Sequence, residues 1–76
     1  MWTATTNPIP ITEGSKVNRN ARFALNLAKA FNKGFDPEVW TPTLFHKEGW
    51  FECEGPDGLG VLISIDGRQV RPIACA

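Results

Sequence analysis

The side chains that could carry out chemistry in this sequence are few, and the first pair to consider is His46 and Cys53. His46 is the only histidine, so any imidazole base must be this residue. In nucleophilic catalysis an imidazole takes the proton of a thiol, and a third group orients the ring. A two-residue loop after His46 would place the pair on the same side of a hairpin, whereas a three-residue loop would place them on opposite faces. Because no third group is evident, we expect a surface histidine at a turn, a small buried cysteine and no enzymatic activity.

Two carboxylates, Glu52 and Glu54, are two residues apart and therefore share one face of a predicted strand. Paired carboxylates can act as acid and base or bind a metal. Phe51 and Cys53 are expected to face inward, so the two acids are expected in solvent, where they discourage pairing with another strand. The glycines of residues 55–60 are not followed by a helix that could meet a phosphate. The sequence thus predicts no metal and no cofactor.

The two cysteines, Cys53 and Cys75, lack the spacing of a metal site or of a disulfide framework. Reduced thiols in a cytoplasmic protein are the default expectation, and a Cys53–Cys75 bridge is the alternative. Residues 1–6 lack the basic and apolar regions of a secretory signal, and no apolar run approaches the ~18 residues of a membrane span. We therefore expect a cytoplasmic protein with no membrane partner.

A line of polar, mainly basic residues is the feature most suggestive of binding. Its members fall at offsets of 3, 7, 10 and 14 along a predicted helix, opposite the apolar stripe, and no acid interrupts them. They are Arg19, Arg22, Asn26, Lys29 and Lys33. Such a line suits an acidic protein surface or a nucleic-acid backbone. The alternative is an ordinary solvated helix face.

Trp50 follows the same alternation as Glu52 and Glu54, so it faces water if the two acids do. An exposed tryptophan beside carboxylates is a common anchor of protein interfaces. Packing beneath the N-terminal segment is the alternative for this ring. These three residues join the line on the helix as predicted partner-binding residues.

The residues of the helix line must be positioned by elements in the first half of the chain. Pro8 and Pro10 exclude a helix there and predict an extended edge segment within residues 1–14. Apolar residues at spacings of three and four then predict an amphipathic helix over residues 16–33, in which Phe23 and Phe31 belong to the core-facing stripe.

Between helix and strands, Asp36 followed by a proline predicts a short helical turn near residues 37–41 that packs Val39 and Trp40 on the core. Residues 43–73 then alternate with period two and predict antiparallel strands. Asp66-Gly67 is typical of a two-residue type I′ hairpin, which would pair Ile63 with Val70. The predicted fold class is α+β, with one long amphipathic helix packed on a three- to four-stranded antiparallel meander.

Composition sets limits on the function. The chain has 76 residues, 42% apolar and 21% charged, which is typical of one small globular domain over residues 1–76. The net charge is zero, which argues against non-specific binding to nucleic acid. The charge is unevenly spread, with five basic residues and one acid in residues 1–35, and three basic residues and seven acids in residues 36–76.

These observations predict a non-enzymatic protein-binding module that acts on a larger protein or protein complex, as a monomer or homodimer. Nucleic-acid binding through the basic helix face is the alternative. Small inhibitors of host machinery encoded by phages or mobile elements, such as anti-CRISPR proteins, belong to this size class. That analogy rests on size alone, because no motif of the chain matches them.

Overall fold

In the part of the chain that the structure describes, one α-helix packs against a five-stranded antiparallel sheet, so the predicted α+β class is confirmed. The structure is a computed structural model that describes residues 8–73. In chain order the elements are β1 (Ile9–Pro10), α1 (Lys16–Phe31), a 3₁₀ turn (Pro37–Val39), β2 (Thr41–His46), β3 (Trp50–Glu54), a second 3₁₀ turn (Pro56–Gly58), β4 (Gly60–Ser64) and β5 (Val70–Ile73). The predictions that concern residues 1–7 and Cys75 lie outside the described residues.

Within residues 8–73 the sheet has five strands, where the sequence predicted three or four. The strands lie side by side in chain order, and each is antiparallel to the next. The additional strand is β1, which pairs Ile9 with Phe45 and Pro10 with Leu44. A two-residue strand that contains a proline has no alternation to detect. The sequence therefore indicates an extended edge segment without indicating what it pairs with.

Both edges of the sheet carry a proline. Directly after β1 the N–H of Ile11 donates to the carbonyl of Thr43 (2.9 Å), so the neighbouring Pro10 is at a position that faces away from β2. Directly before β5 the carbonyl of Gln69 accepts from the N–H of Ser64 in β4 (3.0 Å), and the same alternation places Pro72 on the open side. A proline at these positions offers no N–H to a further strand, so both edges discourage strand addition.

Helix α1 begins directly after Ser15, which caps it. The Ser15 hydroxyl accepts a hydrogen bond from a backbone N–H of the first turn at 3.1 Å. The helix ends at Phe31, two residues earlier than predicted, because Asn32 leaves the helical conformation. Its side-chain amide donates to the carbonyl oxygens of Ala28 (3.1 Å) and Gly67 (3.5 Å), which ties the end of α1 to the β4–β5 turn.

The core lies between α1 and one face of the sheet. The helix contributes Ala21, Ala24, Leu25 and Ala28, and the sheet contributes Phe51, Cys53, Val61 and Ile63. Because three of the four buried helix residues are alanines, the backbone of α1 can approach the sheet closely, and larger side chains beside them remain outside. Phe23 is 65% exposed and Phe31 is 53% exposed. The prediction that these two phenylalanines face the core is therefore wrong.

The short helical turn predicted near residues 37–41 is present as Pro37–Val39. The carboxylate of Asp36 caps it by accepting a backbone N–H at 2.9 Å. Trp40 packs against the core as predicted, with its ring stacked parallel to that of Phe35. Val39 is 46% exposed, and Pro37 is buried in its place, so the prediction for Val39 is wrong.

The β4–β5 turn has the predicted register and a different geometry. Ile63 pairs with Val70. A type I′ turn needs positive φ at two residues, but only Gly67 has it (+75°), while Asp66 does not. The Asp66 carboxylate accepts hydrogen bonds from the Ser64 hydroxyl (2.7 Å) and from a backbone N–H two residues later (3.0 Å). These local hydrogen bonds stabilise the observed turn, in which φ of Asp66 is not positive.

Candidate protein-binding surface

The predicted line of basic residues lies on the exposed part of α1. All five members are exposed, and Lys33 follows the end of the helix; they are Arg19, Arg22, Asn26, Lys29 and Lys33. Within residues 8–73, none of the four cations is within 4.0 Å of a carboxylate. The positive charge of this line is therefore not neutralised by ion pairs in the described part of the chain.

Two of the arginines are held in place by backbone carbonyls. The guanidinium of Arg22 donates to the carbonyl of Trp40 at 3.0 Å, and that of Arg19 donates to the residue before the helix cap at 3.4 Å. A carbonyl positions a guanidinium but leaves its full charge in place. Glu13 and Glu38 line shallow depressions beside Arg22 without reaching salt-bridge distance. Arg22 is thus the cation of the line with two acids among its near neighbours.

An exposed phenylalanine lies beside these cations. Phe23 comes four residues after Arg19, so it occupies the next turn on the same side of α1. Apolar spacing alone assigns Phe23 to the core. The alanines at 21, 24 and 28 are the signal that could have corrected this, because a row of small residues marks the closest contact. We call the following six residues the helix surface: Arg19, Arg22, Phe23, Asn26, Lys29 and Lys33.

Two further exposed apolar side chains lie next to the helix surface: Ile65 at the β4–β5 turn and Phe31 at the end of α1. Ile65 is 57% exposed. The guanidinium of Arg68 lies over the ring of Phe31, 5.1 Å from its centroid, and its Nε is 3.9 Å from a carboxylate oxygen of Asp66. The sequence patterns predicted a binding role for none of Ile65, Phe31 and Arg68.

The other predicted binding residues, Trp50, Glu52 and Glu54, lie on the face of the sheet opposite α1. Trp50 is half-buried, and the guanidinium of Arg71 lies over its ring, 5.1 Å from the centroid. Oε1 of Glu52 is 3.0 Å from Nε2 of His46, while Glu54 is exposed. The sheet separates these residues from the helix surface. The eight predicted binding residues therefore belong to two surfaces.

His46 and Cys53 lie on opposite faces of the sheet, because the loop between β2 and β3 has three residues, 47–49. His46 is only 1% exposed, so the prediction of a surface histidine is wrong, and the carboxylate of Glu52 lies beside its ring. Cys53 is buried as predicted and faces the helix. Burial raises the pKa of its thiol to about 12, which keeps it protonated and a poor nucleophile at neutral pH. The two side chains do not form a catalytic pair.

Residues 8–73 contain no group of three or more histidine, cysteine, aspartate and glutamate side chains that could hold a metal ion. Over the same residues, no helix combines the length and apolar character needed to cross a lipid bilayer. Comparison of the chain with protein-family models, with curated proteins and with solved structures found no match.

Proposed function

We propose that this chain is a non-enzymatic protein-binding module that uses the helix surface to bind an acidic region of a larger protein or protein complex. The observation that carries the proposal is the position of Phe23, largely exposed, among cations that have no carboxylate partner within residues 8–73. Aromatic residues and arginine are enriched in protein interfaces and among the residues that dominate their affinity.

The arrangement does little for the stability of the folded chain. Like charges three and four residues apart on a helix repel by about 0.2–0.5 kcal/mol per pair. Phe23 leaves most of its ring in water, and burying the exposed part in an interface would contribute about 1–2 kcal/mol. Both effects favour a bound partner that supplies carboxylates and covers the ring.

Nucleic-acid binding is the second candidate, because Phe23 beside Arg19 also has the elements of a base-stacking site with a cation near the backbone. The two candidates differ in their response to salt. Binding to DNA or RNA through several phosphates should weaken steeply between about 50 and 200 mM salt. No shift of DNA or RNA mobility at low salt would remove this candidate.

The test uses charge reversal on the helix surface. The pair Arg19→Glu and Lys29→Glu is preferred to one that includes Arg22, whose bond to Trp40 helps to hold the fold. An acid near the helix start is favourable and an acid in its last turn is unfavourable, each by about 0.3–1 kcal/mol, so the two changes nearly cancel in stability.

We expect a partner captured from the source cell, identified by mass spectrometry and purified, to bind the native chain and to lose binding to this double variant. Lys29→Glu and Lys47→Glu form a matched pair, since both remove an exposed lysine and only the first is on the helix surface. Equal binding by the native chain and the double variant would overturn the proposal. An inhibitor encoded by a phage or mobile element is one form that such a module takes, and chain size supports that form.

A further inference from the structure

An apolar groove runs between the N-terminal half of α1 and the end of the sheet that holds the β2–β3 and β4–β5 turns. The two turns meet there, where the N–H of Ile65 donates to the carbonyl of Gly49 at 3.2 Å. The groove has a volume of about 400 Å³ and is lined by Val17, Asn20, Phe23, Phe45, Phe51 and Ile65. It therefore adjoins the helix surface and shares Phe23 with it.

The groove has an aromatic floor and exposed apolar rims. Phe51 is 4% exposed, and its ring centroid is 5.2 Å from that of Phe45. Phe23 on the helix side and Ile65 on the sheet side are both more than half exposed. Among the described lining residues Asn20 alone is polar, and its side chain makes no hydrogen bond within residues 8–73. A concave apolar site with one polar group can take up an apolar side chain and orient the backbone that carries it.

The charge around the groove is asymmetric. Lys16 precedes Asn20 by four residues and Arg19 precedes Phe23 by four, so both cations lie one helical turn from lining residues. No acid occurs in α1 to offset them. Carboxylates of a bound segment are thus favoured along the helix side. On the sheet side the turns are balanced, with Lys47 beside Glu48 and Asp66 near Arg68.

We propose that this groove binds one large apolar side chain, aromatic or aliphatic, presented by an acidic segment of the protein partner. The segment runs beside α1, places its carboxylates near Lys16 and Arg19, and inserts its anchor between Phe23 and Ile65. This inference rests on the proposed function and extends it by specifying the partner's binding segment as acidic with one large apolar side chain.

A second copy of the chain fits the site less well. Glu52 and Glu54 are on the sheet face opposite the helix, so pairing them with α1 of another copy would join two different surfaces head to tail. Such a contact does not close into a dimer. The charge distribution therefore favours a different protein as the occupant.

The test selects short random peptides, displayed as a library, on the immobilised full chain. We expect the enriched peptides to combine several acids with one large apolar residue. Replacing that residue by alanine in a synthetic peptide should weaken binding about tenfold or more. In amide NMR spectra the peptide should shift the signals of Asn20, Phe45 and Ile65. No enrichment, or enriched peptides without an apolar anchor, would overturn the proposal.

Variants separate the groove from the helix surface. Ile65→Asp should weaken the selected peptide about tenfold, while Leu59→Asp, at a similarly exposed leucine outside the groove, should leave it unchanged. If Ile65→Asp has no effect and the Arg19→Glu, Lys29→Glu variant still loses the peptide, the groove assignment fails and the proposed function survives. If the Arg19→Glu, Lys29→Glu variant binds the selected peptide as tightly as the native chain does, the proposed function fails as well. Shifts of groove signals that grow with protein concentration alone would replace the partner by a second copy.

Discussion

Substituting Gly67 by alanine probes the contact that fixes the β4–β5 turn, and with it Ile65, against α1. Gly67 has φ of +75°, and an added Cβ would lie 2.5 Å from Cβ of Leu27, 2.8 Å from the carbonyl oxygen of Ala24 and 2.9 Å from the backbone nitrogen of Ala28. Two of these three atoms belong to the helix backbone, so the clash cannot be relieved by a side-chain rotation. The turn or the helix must move.

The expected loss of stability has two parts. A left-handed conformation costs an alanine about 1–2 kcal/mol, and overpacking of a close contact costs about 1–3 kcal/mol. Gly67→Ala should therefore lower the free energy of unfolding by about 2–5 kcal/mol. At ~0.05–0.15 kcal/mol per residue the whole chain has about 4–11 kcal/mol, so the change removes a large part of it.

Alanine substitutions at two other glycines measure the backbone cost and the contact cost separately. Gly14 has φ of +80° with nothing within 4 Å of an added Cβ, so Gly14→Ala measures the backbone cost alone. Gly55 has ordinary φ (−115°), and its Cβ would meet ring carbons of Trp40 at 2.6 and 2.8 Å, so Gly55→Ala measures a contact with a side chain that can shift. Urea unfolding of the native chain and the three variants gives the free energies. If Gly67→Ala destabilises no more than Gly14→Ala, the close contact between turn and helix does not exist.

Three further predictions concern the core and the titrating groups. Leu25→Ala, at a side chain 1% exposed, should lower the free energy of unfolding by about 2–5 kcal/mol in the same assay; a loss below about 1 kcal/mol would contradict its place in the core. In a Cys75→Ser background, Cys53 should resist thiol reagents at mildly alkaline pH and react fully in denaturant, because its pKa of about 12 leaves almost no thiolate; prompt labelling of the folded chain would refute this. The hydrogen bonds from the Ser64 hydroxyl and from the backbone of Arg68 lower the pKa of Asp66. The stability that the ionised Asp66 adds is therefore present above the ordinary pKa of 3.8 and is lost as the pH falls further. Ser64→Ala should raise the NMR titration midpoint of Asp66, and an unchanged midpoint would exclude the hydrogen bond between the two side chains.

The sequence predicts the elements better than it predicts which side chains they leave exposed. Apolar spacing and the Ser15 cap are local signals, and they locate α1 to within two residues of its end. Phe23 and Phe31 are apolar side chains at the margin of the helix stripe. Whether a margin is covered depends on how closely the sheet approaches, and that is set by distant residues such as Gly67.

The site is predictable in part for a similar reason. The exposure of the basic line follows from helix geometry, and the outward orientation of Glu54 follows from strand alternation. The two groups lie on opposite sides of the sheet because α1 covers the face that holds Phe51 and Cys53, and Glu54 points away from that face. Whether His46 shares a face with Cys53 depends on loop length, because residues 47–49 are compatible with a two- or a three-residue loop, and the structure has the three-residue one.

The most direct test of the account is a map of the interface in a purified complex with the protein partner. Cross-saturation NMR, with the labelled chain bound to the unlabelled partner, reports which of its amides lie against that partner. We predict that signals of Arg22, Phe23, Asn26 and Lys29 lose intensity. Loss confined to the strand that holds Glu52 and Glu54, with α1 unaffected, would contradict it.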